Sequence, residues 1–366
     1  MKKTTSFMLC VLILICMFTG CSGKQNADGN ASIQALAPVD ETVSMHTFSQ
    51  KAFLSGPDSL IGMYAYGQEE KSRPKPIEFE WEYNGTDHTQ FTLNISEKED
   101  MTNAVSYTTD QTEYAVYNLK IGTDYYWTVS TENATSDVSS FTTNSEAPRN
   151  LYIDGITNAR DLGGRETESG TVTKQGMIFR CGRLNESNVP YVNIEITEDG
   201  KRTMLEELGI KTEIDVRLAY DSENGGITES PLGNTVSYIN CPMEWDGEML
   251  GDNKEQIVKV FSILADENHY PLFIHCNIGT DRTGMLSFMI NALLGVPEEE
   301  LYKDFLFSNF GNIGGKRPLE NLLESDYYKA IEQAEGDTLS EKTYNCLVET
   351  GVAGEDLDAL IRIMTA

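Results

Sequence analysis

Residues 77–83, IEFEWEY, alternate without a break: Ile77, Phe79, Trp81 and Tyr83 fall on one face and three glutamates on the other. A period of two predicts a half-buried strand. FTLNIS at 91–96 repeats it with Phe91, Leu93 and Ile95, and YYWTVS at 125–130 with Tyr125, Trp127 and Val129. Thr, Asn, Gly and Asp fill the gaps, and no helical spacing interrupts them. Short alternating strands over residues 44–145 predict an all-β sandwich.

After the polar junction TTNSEAPRN (142–150) the period changes. Met204, Leu205 and Leu208 recur at helical spacing and KTEIDVR follows as a strand. KEQIVKVFSILADE puts Ile257, Val260, Phe261 and Leu264 on one side of a helix. PLFIHC then reads as a short buried strand and TGMLSFMINALLG as a buried helix stopped by Gly295. The next helix opens with Pro297 and three glutamates, as the helix dipole favours. Strands alternating with helices predict an α/β domain over 150–366.

The first twenty residues differ from both. Lys2 and Lys3 precede an apolar run, Phe7 to Phe18, and then Thr19-Gly20-Cys21. The run has the length of a signal-peptide core and is short for a bilayer span. Residues 21–43 are small and polar and predict a flexible tether. The formal charge of −29 repels nucleic acid and argues against such a partner. Seven cysteines, three of them within residues 1–21, leave Cys181, Cys241, Cys276 and Cys346, too few for a disulfide framework in a chain of this length. A reversible disulfide of Cys276 with Cys181 or Cys241 is one expectation for a reactive thiol outside the cytoplasm. The histidines are His46, His88, His269 and His275, and none has ligand spacing with the cysteines. No metal or other cofactor is expected.

The candidate chemistry lies in HCNIGTDRTG, at the turn from the buried strand into the buried helix. A loop between Cys276 and Arg282 can curl its amides inward beside the positive end of a helix and so form an anion site. Gly279 permits backbone angles that other residues resist. Arg282 offers a fork for two phosphate oxygens, and the same positive surroundings favour thiolate at Cys276. An arginine at a helix N-terminus is electrostatically misplaced unless an anion visits.

This stretch resembles the signature of cysteine-dependent phosphatases. Together with NARDLGG (158–164), GMIFRCGRL (176–184) and LGIKTEIDVRLAYDSE (208–223), it resembles the bacterial tyrosine/lipid phosphatase family. The resemblance implies a dual-specificity-like α/β fold, a central, largely parallel sheet flanked by helices. It implies Cys276 as nucleophile and Arg282 as phosphate clamp, with the amides of Asn277, Ile278, Gly279, Thr280, Asp281 and Arg282 cradling the phosphate. Thr283 would bond the thiolate or ease departure of the phosphoenzyme, and His275 would orient the loop. Two carboxylates qualify as proton donor: Asp281, ranked ahead, and Asp246, thirty positions before the nucleophile with Trp245 beside it as hinge or lid anchor. Arg160 and Asp161 are expected to brace the loop, and Arg180, Arg183 and Arg217 to be scaffold.

Two further resemblances complete the picture. NLKIGTDYYW resembles the tyrosine corner of fibronectin type III and immunoglobulin-like domains, which implies that the Tyr125 hydroxyl bonds back to the backbone. The segment ending at Cys21 resembles a bacterial lipobox, with Phe18 where leucine is usual, and implies lipid attachment at Cys21 and an extracytoplasmic, membrane-tethered protein. The expected activity is hydrolysis of a phosphorylated protein or small phosphomonoester. The family often has lysine where this chain has Thr280, which weakens the alternative of an inositol-phosphate substrate. A pseudophosphatase that only binds phosphorylated ligands is the non-enzymatic alternative.

Overall fold

The computed structural model describes residues 31–85, 90–186, 194–220 and 223–365. The expected signal segment with Cys21, the first part of the tether and His88 lie outside them. No helix among the described residues is long and apolar enough to cross a membrane.

The alternating segments become strands. β1 (Ile33–Ala37), β3 (Ile77–Tyr83) and β6 (Glu113–Val116) form one sheet in the order β1-β3-β6. β2 (Thr42–Val43), β4 (Phe91–Ser96), β5 (Val105–Thr109), β7 (Asp124–Ser130) and β8 (Ser139–Thr143) form a second, ordered β2-β8-β7-β4-β5. Their apolar faces meet in one core, where Phe79 packs edge-on to Trp127 at 5.1 Å and to Phe141 at 5.6 Å. The Trp127 indole donates to the Pro38 carbonyl at 2.8 Å, and the Lys120 amide donates to the Tyr125 hydroxyl at 2.9 Å. β1 and β2 lie inside the stretch expected to be a tether. Ile33 is their one fully buried apolar residue, too weak a pattern to read as a strand.

A second difference concerns residues 44–76, which are not purely sandwich. α1 (Phe48–Leu54) and α2 (Ile61–Tyr64) interrupt the strands between β2 and β3. α1 is held by a capping box between Thr47 and Gln50. Its Phe53 is fully buried, but in the core of the C-terminal half, 5.8 Å from Phe310 and 6.5 Å from Phe307. Lys303 stands over the Phe53 ring at 4.4 Å, donates to the carbonyls of Phe53 and Gly56 and pairs with Asp58. A seven-residue helix with its main apolar contact in another part of the chain carries no legible period.

The junction near 142–150 is likewise fixed rather than loose. Arg149 is buried, donates to the carbonyls of Asn118 and Leu119, and pairs with Asp161 at 2.9 Å. Gln175 exchanges two hydrogen bonds with the Ile121 backbone.

The C-terminal half is a five-stranded sheet between helices. β9 (Arg160–Asp161), β10 (Ile178–Cys181), β11 (Thr212–Asp215), β12 (Ser237–Asn240) and β13 (Leu272–His275) take the order β12-β11-β13-β10-β9. All neighbours are parallel except β9 and β10, so the sheet is largely parallel, as expected. α3 (Glu198–Arg202) continues as a π-helical turn to Glu207 and buries Met204. α4 (Met249–Asp252) and α5 (Lys254–Leu264) follow β12. α6 (Arg282–Leu293) is buried on every side and α7 (Glu298–Phe307) packs beside it. α8 (Glu320–Leu323), α9 (Asp326–Gln333), α10 (Leu339–Thr350) and α11 (Gly354–Thr365) complete the layer. β13 is the middle strand, so the turn from β13 into α6 opens at the centre of the sheet's C-terminal edge, where open α/β sheets bind ligands.

Because Phe53 belongs to the C-terminal core, Phe53→Ala is expected to cost about 3–5 kcal/mol by the cavity it leaves. Urea unfolding read on the C-terminal half checks this; a loss well under 1 kcal/mol would contradict the shared core.

Candidate active site

β13 ends at His275, and the chain turns through residues 276–281 before α6 begins. The turn is possible because Gly279 sits at φ +68°, where a Cβ would lie 2.3 Å from the Cys181 carbonyl oxygen. Among the described residues no acceptor takes the amides of Ile278, Gly279, Thr280 or Asp281. The loop carbonyls, by contrast, are bound from outside. Asn158 Nδ2 donates to Ile278 O at 3.2 Å and Gly279 O at 3.0 Å, Arg180 to Gly279 O at 2.6 Å, and the Arg183 amide to Asn277 O at 3.1 Å. Peptide units whose carbonyls are pulled outward leave their neighbours' donors free for an anion.

Cys276 lies at the base, 2% exposed. Burial opposes its ionisation most strongly, yet the Arg282 charge and the Thr283 hydroxyl and amide outweigh it, and the thiol falls below the usual cysteine range. The Thr283 hydroxyl is buried and makes no hydrogen bond among the described residues, to sulfur or otherwise, so its effect on the thiol is electrostatic support at longer range. The other described cysteines go the opposite way: burial pushes Cys181 well up, and Cys241 and Cys346 up to about 11. All four are free thiols. Cys276 alone among them is built to be a nucleophile.

Arg282 is held in place by groups not singled out in the sequence. Its Nη1 donates to Met243 O at 2.9 Å and its Nη2 to Glu223 Oε1, while Nε is buried without a partner among the described residues. Glu223 also accepts from the Asn277 side chain and the Leu218 amide, both at 2.9 Å. It lies in the LAYDSE stretch, but nothing in the spacing distinguishes it from nearby acids.

The residues expected to brace the loop fall into separate clusters, of which the one on Asp304 reaches it, while Asp161 makes no bond to the loop among the described residues. Arg160 donates to Asp304 at 2.8 Å and to the Asn158 oxygen at 2.5 Å. Arg165 and Arg180 reach the same carboxylate at 2.6 and 2.8 Å. Burial disfavours the charged Asp304, but the three guanidiniums overcome it and hold the carboxyl far below its usual range. Burial and neighbouring Arg160 push Arg180 down as well, below the ordinary arginine range. Removing Asp304 would leave Arg160 and Arg180 unmatched and Arg165 with only the longer pair to Glu300 at 3.8 Å. Asp161 pairs with Arg149 and accepts the amides of Gly163 and Gly176. Arg217 is paired with Asp215 at 2.8 Å. His275 sits between the Cys276 carbonyl and Glu213, at 3.1 and 2.9 Å. Glu213, Asp215 and His275 are close enough to ligate an ion, but Asp215 is taken by Arg217 and His275 by Glu213. Their arrangement is that of a hydrogen-bonded support beneath the loop.

The two carboxylates expected as proton donors differ sharply. Asp281 is half-buried at the start of α6, and both its oxygens are gripped by Arg317, at 2.9 and 3.2 Å. Arg317 was not legible as a site residue, since it lies 36 positions further along, between helices. Asp246 is exposed, on the loop that follows Met243, whose carbonyl binds Arg282. Trp245, 59% exposed, shares a groove of about 640 Å³ with Asp281 and Arg317.

A thiolate nucleophile under a ring of free amides and one guanidinium defines the class as a cysteine-dependent phosphatase. The profile described as "Tyrosine phosphatase family" matches residues 151–351, and the chain belongs to that family. A Cupriavidus necator protein, named a tyrosine-protein phosphatase as a provisional assignment, is 25% identical over 187 residues, 44% of this chain and 64% of that protein. A tyrosine-protein phosphatase of Nostoc commune is 26% identical over 129 residues, 30% of this chain and 44% of that protein. The chain thus spans less than two thirds of either relative. Among solved structures, P. aeruginosa TpbA aligns at 17% identity and TM-score 0.30, over 46% of this chain and 88% of that one. The core catalytic domain of the S. cerevisiae PP-IP phosphatase SIW14 aligns at 17% identity and TM-score 0.28, over 41% and 82%.

The Cys276 thiolate, followed as the ultraviolet absorbance lost in Cys276→Ser, should form with a midpoint below the ordinary value of about 8.5. Its fraction rises with pH, and Thr283→Val should move the midpoint upward by removing a polar group that supports the thiolate. An unmoved midpoint in Thr283→Val would refute the assigned role of that hydroxyl.

Proposed function

We propose that this protein hydrolyses phosphomonoesters, phosphotyrosine foremost, through a cysteinyl-phosphate intermediate. The observation that carries the reading is the buried Cys276, held below the usual cysteine range beneath unclaimed amides and Arg282. The amides of residues 277–282 and Arg282 Nε bind the phosphate oxygens. Cys276 sulfur attacks phosphorus, the bond from phosphorus to the substrate oxygen breaks, and that oxygen takes a proton from a carboxylic acid. Water then attacks the phosphocysteine, gives its proton to the same carboxylate and releases inorganic phosphate and the thiolate.

For the acid we assign Asp246, reversing the order that sequence alone favours. Asp281 has neither oxygen free while Arg317 holds it, whereas Asp246 accepts no hydrogen bond among the described residues and stands on the loop that contacts Arg282. Thr280 is buried against Asn158 and brings no charge, and Glu324 and Asp326 line the groove beside the site. Both features favour an ester with one phosphoryl group over a polyphosphorylated inositol.

The wider setting is also proposed. Residues 1–20 are read as a lipoprotein signal and Cys21 as the lipid-bearing residue, which places the enzyme at the extracytoplasmic face of a bacterial membrane. The sheet orders and the bond from Lys120 to Tyr125 support a fibronectin III/Ig-like sandwich that begins with β1, ahead of the expected 44–145, with the catalytic domain at 150–366.

With EDTA present, p-nitrophenyl phosphate should be turned over, Cys276→Ser should abolish turnover, and vanadate should inhibit. Turnover surviving the serine change would remove the cysteine mechanism, and none in the native chain would favour a binder. Asp246→Asn should lower kcat for phosphotyrosine by about 10²–10⁴ and remove the decline of kcat at high pH, since the acid works only while protonated. Asp281→Asn keeping that decline would agree; Asp281→Asn removing it would restore Asp281 as the acid. Comparison of phosphotyrosine peptides with phosphoinositides tests the substrate class.

A further inference from the structure

The connection between β2 and β3 belongs to the N-terminal half, yet its last part, residues 65–72, runs along the phosphatase half. Glu70 is the residue through which it reaches the site. One carboxylate oxygen accepts from the Thr157 hydroxyl and, at 3.3 Å, from the Asn312 amide; the other accepts from the Ser72 amide at 3.0 Å. Thr157 and Ser72 are buried and Glu70 is half-buried, so loss of the carboxylate leaves the Thr157 hydroxyl and the Ser72 amide without this partner.

What Glu70 holds is directly coupled to the phosphate loop. Thr157 precedes Asn158, whose amide group binds the carbonyls of Ile278 and Gly279. The Thr157 carbonyl accepts the Gly182 amide at 2.9 Å, and the next amide, that of Arg183, binds Asn277 O. The start and the middle of the loop, Asn277 to Gly279, are therefore tied to the segment that Glu70 fastens.

The same connection also reaches the opposite rim. The Gly67 amide donates to Asn309 O at 2.8 Å, its carbonyl accepts the amides of Ile313 and Gly315 at 3.0 and 2.9 Å, and the Lys71 amide donates to Phe310 O at 2.6 Å. Gly67 has φ +68°, and a Cβ there would stand 2.5 Å from Gly315 O. These bonds shape residues 309–317, and Arg317 at their end grips Asp281. One short stretch outside the residues matched to the family thus fastens two sides of the site.

We propose that residues 65–72 are a positioning element of the active site, with Glu70 and its partner Thr157 as positioning residues for the phosphate loop. The N-terminal half is then a working part of the enzyme rather than a spacer. The inference rests on the phosphatase reading only for its kinetic readout; the geometry of the Cys276 loop can be read without turnover.

The test uses the full chain and four variants: Glu70→Ala, Glu70→Gln, Thr157→Val and Thr157→Ser. Thr157→Val keeps the shape and removes the hydroxyl, and Thr157→Ser keeps the hydroxyl. For p-nitrophenyl phosphate, kcat per titratable Cys276 thiolate should fall on the order of ten- to a hundredfold in Glu70→Ala and Thr157→Val, as displaced catalytic groups do. Thr157→Ser should return kcat to within about twofold of the native chain, and Glu70→Gln should lie between. The Cys276 thiolate midpoint should rise in the two disruptive variants. A purely structural role would instead lower the unfolding midpoint while leaving kcat per thiolate and the thiolate midpoint unchanged, and that result overturns the inference. If the native chain turns over nothing, the phosphatase reading is what has failed. The thiolate midpoint then decides alone: a rise in Thr157→Val supports positioning and constancy refutes it.

Discussion

A loop that offers its amide hydrogens to a visiting anion cannot use them to hold itself together. The segment from Cys276 to Arg282 has given up the main source of backbone stability and must be held by its carbonyls and its ends. The surrounding structure supplies that hold. Asn158, Arg180 and Arg183 take the carbonyls, Gly279 lets the chain pass against Cys181, and α6 anchors the far end in a fully buried helix. Preorganisation of this kind lets the site meet a phosphoryl group without rearranging.

The restraint brings its own electrostatic problem, because the residues suited to gripping carbonyls are arginines and the site is dry. Arg160, Arg165 and Arg180 converge on Asp304, Arg217 is matched by Asp215, and Arg282 by Glu223. A chain of net charge −29 thus keeps its buried positive charge in a few compensated clusters, and the acidic excess stays at the solvated surface. At Cys276 the neighbouring Arg282 and Thr283 outweigh burial and hold the thiol below the usual range, whereas burial pushes the other three up.

The two halves of the chain are joined by the same logic. Arg149 spans from the sandwich carbonyls to Asp161, and Phe53 leaves the strands to fill a gap beside Phe307 and Phe310. A polar junction with a proline reads as a linker until its partners are known. Once they are known, it is a buried crossing in which Arg149 is paired on both sides, while the Asn150 side chain is buried without a partner among the described residues.

Much of this was legible in order along the chain. Alternation marked the strands Ile77–Tyr83, Phe91–Ser96 and Asp124–Ser130, and helical spacing marked α5, because both periods are local properties of the backbone; α6, buried on every side, was marked by a continuous apolar run instead. The proposed nucleophile and clamp were legible because strand, loop and helix follow one another without interruption, so the centre of the candidate site is written in ten consecutive residues. Glu223, Asp304, Arg317 and Glu70 were not, because each is one acid or base among many and gains a role only from a partner dozens to hundreds of positions away. The sequence by itself determined the two architectures and the proposed reacting pair, through periods and spacings that a single element contains. The tertiary structure alone decided which charges hold the loop, which carboxylate is left free and that the N-terminal half touches the site, since burial and distant pairing exist only once the chain has closed.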